Sequence, residues 1–244
     1  MVDFIPTYFK GVSYAPPTSF NEYQQKTVGI VGGIGNIAIG ENAMPLIDLG
    51  EGQNNVAIGR DALSKNIDGS GNIAIGDETL YSTIGGGNIG IGTGALYNNT
   101  QGDANIGIGS GTLHNNTEGL LNIGIGTRAL YNNTTGDGNI GIGFNNLSNN
   151  TIGINNIAIG QYSLTNNIEG SGNIVLNSIN NTPTSKDLNN VIILNAGNTD
   201  IIYPMVNTEN AFYVNPIRNV ASTGGLYQLY YDPSTKEIVY FTPP

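Results

Sequence analysis

Asn88-Ile89-Gly90-Ile91-Gly92-Thr93-Gly94-Ala95-Leu96-Tyr97-Asn98-Asn99-Thr100-Gln101-Gly102-Asp103-Ala104 is one member of a series of near-copies, and its reading decides the fold. The leading Asn recurs at Asn36, Asn55, Asn72, Asn88, Asn105, Asn122, Asn139, Asn156, Asn173 and Asn190, with spacings of 19, 17, 16 and then six of 17. So constant a short period means a stacked architecture in which each repeat buries its apolar side only against its neighbours. Ile89 and Ile91 alternate with Gly90 and Gly92, a two-residue period that specifies a short strand with one apolar face and one face of minimal size. Leu96, eight positions after the leading Asn, recurs as Leu63, Leu80, Leu113, Leu130, Leu147 and Leu164 and marks a second inward-pointing segment. Asn98-Asn99-Thr100 and Gly102, with their copies, read as the corners, because Asn and Gly tolerate positive φ.

Each repeat is therefore expected to be one coil of a parallel β-solenoid, with two short strands per coil. A helix is a poor reading: the Gly residues alone would cost about 1 kcal/mol each. The core is assigned to Ile89, Ile91, Leu96, Ile106, Ile108, Leu113, Ile123, Ile125 and Leu130. The small residues Gly90, Gly107, Gly124 and Gly141 are assigned to a face where another subunit approaches closely. In the last two repeats this small position reads as Val175 and Ile192, so a bulkier second face is expected there. Three parts follow: an anchoring or capping segment at 1–30, a solenoid of about ten coils at 31–200, and a C-terminal cap or attachment region at 201–244. No Pro occurs between Pro45 and Pro183, as continuous strand pairing requires. In the last part Leu226 to Tyr231 and Glu237 to Thr242 flank an Asp-Pro turn and read as a hairpin.

The composition supports this and excludes several functions. The 244 residues include 36 Gly and 37 Asn, only 11% are charged, and there is no Cys. A disulfide scaffold and a Cys-based metal site are excluded. Eight Lys+Arg against 18 Asp+Glu, a net charge of -10, argues against nucleic acid as a partner. No apolar stretch reaches the roughly 18 residues of a membrane-spanning helix. Residues 1–30 show no secretory signal pattern, so the chain is expected to stay in the cytosol or leave it by a route it does not itself encode.

No residue pattern asks for catalysis, a cofactor or a metal. The single His, His114, stands where other coils have Tyr97, Tyr131 or Ser148 and reads as a corner substituent. Asp77-Glu78, and Asp48 with Glu51, read as solvated loop charge. The acids Asp103, Glu118 and Asp137 recur too irregularly for a calcium array. Gly90-Ile91-Gly92-Thr93-Gly94 opens no helix and lacks the Lys of a phosphate loop. The row Thr100, Thr117, Thr134, Thr151 is one column at a corner, short of the flat two-column face that ice binding uses.

The Asn-Ile-Ala-Ile-Gly and Asn-Ile-Gly-Ile-Gly segments over residues 36–194 resemble the head repeats of trimeric autotransporter adhesins, although the coil here is longer. That resemblance implies a left-handed parallel β-roll assembled as a homotrimer that binds host surfaces. The stretches Ala211 to Arg218 and Leu229 to Tyr240 resemble C-terminal segments of tail-fibre-like and giant-virus structural proteins. Together the resemblances imply a non-enzymatic fibre, spike or capsid-decorating protein of a virion, assembled in the host cytoplasm, with 1–30 docked on another virion component. The alternative is a viral or bacterial surface adhesin whose partner is a host glycan or receptor. Tyr97, Tyr131, Tyr230 and Tyr240 are then the expected contacts.

Overall fold

The computed structural model describes residues 28–29, 34–46, 52–177, 187–195, 212–215, 228–232 and 237–241. Strand β1 (Val28–Gly29) pairs antiparallel with β2 (Ile37–Ile39). One strand per coil then follows: β3 (Val56–Ile58), β4 (Ile73–Ile75), β5 (Ile89–Ile91), β6 (Ile106–Ile108), β7 (Ile123–Ile125), β8 (Ile140–Ile142), β9 (Ile157–Ile159), β10 (Ile174–Asn177) and β11 (Ile192–Asn195). Each pairs in parallel with the next, and β12 (Phe212–Asn215) continues the series. The register is residue for residue, as in Ile89↔Ile106 and Gly90↔Gly107. The protein is thus an all-β parallel solenoid of about 17 residues per coil, and its described residues contain no helix. Antiparallel β1 covers the edge that β2 would otherwise offer to further parallel growth. The hairpin is present as β13 (Gln228–Asp232) and β14 (Glu237–Phe241), paired antiparallel. The segment 1–30 falls outside the described residues except for β1.

Asparagine closes each coil. Asn105 donates its backbone N–H to Asn88 Oδ1 at 2.9 Å and its Nδ2 to the same oxygen at 3.3 Å. The second Nδ2 hydrogen goes to Gly119 O at 2.7 Å, at the far end of the same coil. The pattern repeats from Asn36 to Asn173, and these side chains are buried. A second buried column, Asn99, Asn116, Asn133, Asn150 and Asn167, runs alongside, linked by Nδ2–Oδ1 bonds of 2.7–2.9 Å. Both columns donate to the same corner carbonyl: Gly102 O accepts from Asn88 and from Asn99, each at 2.8 Å. A carbonyl has two lone pairs, and both are used.

The two strand faces are reversed relative to the sequence reading. The middle strand residue is buried: Ala57, Ala74 and Ala158 are fully inside, and Gly90, Gly107, Gly124 and Gly141 share that position. Leu96, Leu113 and Leu130 are core, as assigned. Ile89, Ile91, Ile106, Ile108, Ile123 and Ile125 are not core; they lie on the outer face and are only partly buried, with Ile108 at 37% and Ile125 at 36% exposure. The cause is volume. A 17-residue coil with two Asn side chains inside has room for one Leu and two small residues, such as Ala95 with Gly90 or Ala129 with Gly124, but not for two further Ile. The glycines therefore do not form a subunit face. A Cβ on Gly124 would stand 2.5 Å from Thr112 Cγ2, inside the same chain.

Three further differences follow from backbone geometry. The Leu segment is not a second strand. Leu63, Leu80, Leu96, Leu113, Leu130, Leu147 and Leu164 all sit at φ between 48° and 54°. Left-handed Leu costs about 1–2 kcal/mol, which burial of the side chain offsets, as do bonds such as Leu96 N–H to Thr112 O at 2.9 Å. The corner glycines Gly102, Gly119, Gly136, Gly153 and Gly170 are not at positive φ. They are required because the carbonyl of the next coil approaches closely; a Cβ on Gly119 would lie 2.6 Å from Gly136 O. Finally, the last repeat is shifted by one residue. Ile193, not Ile192, pairs with Val175, and Val191 N–H takes the ladder position on Asn173 Oδ1 at 3.1 Å. Val175 and Ile193 are therefore inside and form no bulkier outer face, while Ile192 points outward.

Two outcomes test this packing. A Cβ on Gly107 would come no closer than 3.3 Å to a neighbour, Leu96 Cγ, whereas one on Gly124 would meet the Thr112 methyl at 2.5 Å. Gly107→Ala should stay within about 1 kcal/mol of the wild type and Gly124→Ala should lose about 1–3 kcal/mol, read as denaturation midpoints. Equal, unperturbed midpoints would contradict the inward placement. The second concerns the 16-residue coil, where Thr83 replaces the second ladder Asn and leaves Asn66 Oδ1 and Thr83 Oγ1 buried without partners. Thr83→Asn should rejoin the column and raise stability by about 1–2 kcal/mol; a lowered midpoint would contradict the ladder account.

Candidate functional site

Three surface features run along the coils, each generated by one repeat position. The first is the outer face of the parallel sheet. Its two columns begin Ile37, Val56, Ile73, Ile89 and Ile39, Ile58, Ile75, Ile91, and the one-to-one register aligns every member with the next. Exposure reaches 45% at Ile37, 40% at Ile159 and 40% at Leu176. At about 4.8 Å per rung, ten rungs make an apolar strip on the order of 45 Å long. Single exposed hydrophobic residues need no explanation, but a contiguous strip of this size marks an interaction surface.

The second feature is an aromatic column. Tyr81, Tyr97, His114 and Tyr131 stack with ring centroids 4.9, 5.0 and 5.0 Å apart and planes within 12° of parallel. Lys65 Nζ sits 4.7 Å from the Tyr81 centroid and Arg128 sits 4.5 Å from that of Tyr131. Offset stacking and cation–π contact stabilise such a row. His114 Nδ1 lies 3.0 Å from Gly94 O, a contact in which Nδ1 carries the proton and donates. Partial burial, and secondarily the negative charge of Glu78, hold the Tyr97 phenol above its ordinary range. The sequence reading placed Tyr97 and Tyr131 about two rungs apart as glycan platforms. His114 fills that gap, and both faces of Tyr97 are covered by rings. Tyr131 is covered by His114 and Arg128. Tyr97 and His114, each with a ring on both sides, offer a sugar no aromatic face to stack on. Strands β13 and β14 carry Tyr230 and Tyr240, whose side chains lie outside the described residues.

The third feature is an open, uncharged trough of about 730 Å³ lined by Asn115, Asn132, Thr134, Asn149, Thr151, Asn166 and Ile168, which exposes more apolar than polar surface. Its asparagines form their own half-exposed column, with Asn98 Nδ2 donating to Asn115 Oδ1 and Asn115 Nδ2 to Asn132 Oδ1, both at 3.0 Å. The Thr hydroxyls donate to carbonyls one coil on, as Thr134 Oγ1 does to Thr151 O at 3.0 Å. Sequence reading used these residues as corners and did not foresee the recess, which exists only because four coils align.

Charge is sparse. Arg60 pairs with Asp77 at 2.6 Å, Asp61 at 2.9 Å and Glu78 at 3.4 Å, mostly on exposed surface, and the hydrogen bond to Asp77, then its charge, raises the already high Arg60 pKa further. Exposed pairs of this kind contribute little to stability. Among the described residues no group of three or more His, Cys, Asp or Glu side chains is placed to hold a metal ion, and no helix is long and apolar enough to cross a membrane. Comparison with described protein families, with curated proteins and with solved structures returns no match.

Proposed function

We propose that this chain is a non-enzymatic structural protein that assembles with copies of itself, as a homotrimer, through the Ile columns. The observation that carries the reading is the distribution of apolar side chains. A typical coil keeps one Leu and small residues inside and leaves two large aliphatic residues on the outer strand face. Covering the seven outward residues Ile37, Ile75, Ile108, Ile125, Ile159, Leu176 and Ile192, each 36–45% exposed, is worth roughly 5 kcal/mol per copy at 1.5–3 kcal/mol per fully buried side chain. A second copy is the best-matched cover. Its columns have the same rung spacing, so ridges of Ile meet grooves along the whole length, and a closed symmetric assembly leaves none exposed.

A stack of hydrogen-bonded coils is a stiff spacer, which suits a fibre, spike or surface decoration. The virion as its setting, with 1–30 as the attachment to another particle component, rests on the resemblance of the C-terminal segments. The trimeric state rests on the resemblance of the repeats.

Light scattering on the eluting peak tests the reading. The expected mass is three times 25.6 kDa, and Ile108→Lys with Ile125→Lys should give the monomer mass with an unchanged β-type circular dichroism spectrum. A wild-type mass of 25.6 kDa at micromolar concentration would overturn it.

A further inference from the structure

We propose that the Asn–Thr trough is a binding site for a linear, neutral oligosaccharide lying along the solenoid axis. Its lining carries no charge: it is built from Asn115, Asn132, Asn149, Asn166, Thr134, Thr151 and Ile168. The chain's net charge of -10 disfavours polyanions, sulfated or uronic-acid glycans included. The recess of about 730 Å³ is within the ordinary range of ligand sites.

The donor and acceptor inventory selects the ligand. Asn115 and Asn132 each commit one N–H and one Oδ1 lone pair to neighbouring rungs. An amide has two hydrogens and two lone pairs on oxygen, so each keeps one of both for a ligand. Thr134 and Thr151 donate their hydroxyl hydrogens to carbonyls and keep oxygen lone pairs as acceptors. A sugar hydroxyl donates and accepts at once and fits this alternation. The trough exposes more apolar than polar surface, which the C–H faces of a sugar ring cover. The available groups recur at each rung, about 4.8 Å, close to the advance of one ring in an extended glycan. The ladder bonds already hold the amides in place, so binding costs little side-chain entropy.

The extent of the polar strip is a second, independent observation. The Asn and Thr positions are filled together in four consecutive coils: Asn98 with Thr100, Asn115 with Thr117, Asn132 with Thr134, and Asn149 with Thr151. In the coils on either side the Thr position is Ile84 and Ile168. The solenoid therefore folds with Ile at this corner, and Thr is not a structural requirement of it. The strip is a bounded segment about 14 Å from its first to its fourth Asn.

The natural Ile at flanking coils supplies the test. An array of linear neutral tetra- to hexasaccharides is screened with the full chain, and the best binder is titrated by calorimetry. The expected result is saturable binding that weakens at least tenfold in Thr134→Ile with Thr151→Ile and is unchanged in Gln101→Ala. If the double variant does not fold, Asn132→Ser takes its place with the same expected loss. The proposal does not depend on self-assembly, and measuring the mass of each variant keeps the two apart. Retention of no neutral glycan, or wild-type affinity in the trough variants, overturns it.

Discussion

The buried asparagine column running from Asn36 to Asn173 is the constraint on which the remaining structure depends. Within each rung it ties the start of the strand to the corner carbonyl at the coil's end, as Asn122 does to Gly136 O at 2.8 Å. Between rungs it ties each side-chain oxygen to both N–H groups of the next Asn. A coil this short buries backbone groups that no strand partner reaches, and an unpaired buried polar group costs about 1–3 kcal/mol. The column supplies those partners in every rung. It also fixes the register, since one residue of slip would misplace every amide at once.

From this constraint follows the inverted distribution of side chains. In most coils two asparagines occupy the interior beside a Leu and small residues such as Ala95, Thr112 or Ala129, and only the last coils admit Val175 or Ile193 there. Isoleucine is therefore displaced to the outer sheet face, where aligned rungs turn it into a continuous strip. The same alignment converts single corner residues into a stacked aromatic row and an uncharged trough. None of these surfaces exists in one coil; each is a property of the stack.

The period, the solenoid and the C-terminal hairpin were legible in the sequence, because a 17-residue repeat and a two-residue apolar alternation leave few architectures. Leu96 and its copies were legible as core for the same reason. The sense of the strand faces was not. Alternation of Ile with Gly says that the faces differ, and hydrophobicity alone puts Ile inside; the polar content of the interior reverses that choice. The left-handed Leu was equally hidden, since Leu rarely adopts positive φ and only the stacked hydrogen bonds enforce it. The one-residue shift at Val191 was masked by Asn190, which mimics the repeat without occupying the ladder position. The covering of Tyr97 and Tyr131 required coordinates, because His114 does not announce itself as an aromatic in a Tyr column.

The most direct test of the central claim is the stability of Asn122→Leu set against that of Leu113→Ala, both by reversible chemical denaturation. Replacing Asn122 removes the acceptor for the Asn139 backbone N–H at 2.9 Å and Asn139 Nδ2 at 3.2 Å, and the donor to Gly136 O. Gly136 O keeps its bond from Asn133, but the Asn139 N–H groups are orphaned and Asn105 Oδ1 loses one of its two donors, which makes the expected loss at least as large as the cavity cost of about 2–5 kcal/mol for Leu113→Ala. A cost under about 1 kcal/mol for Asn122→Leu, with the Leu113→Ala loss intact, would show that apolar packing alone holds the coils together and would contradict the account.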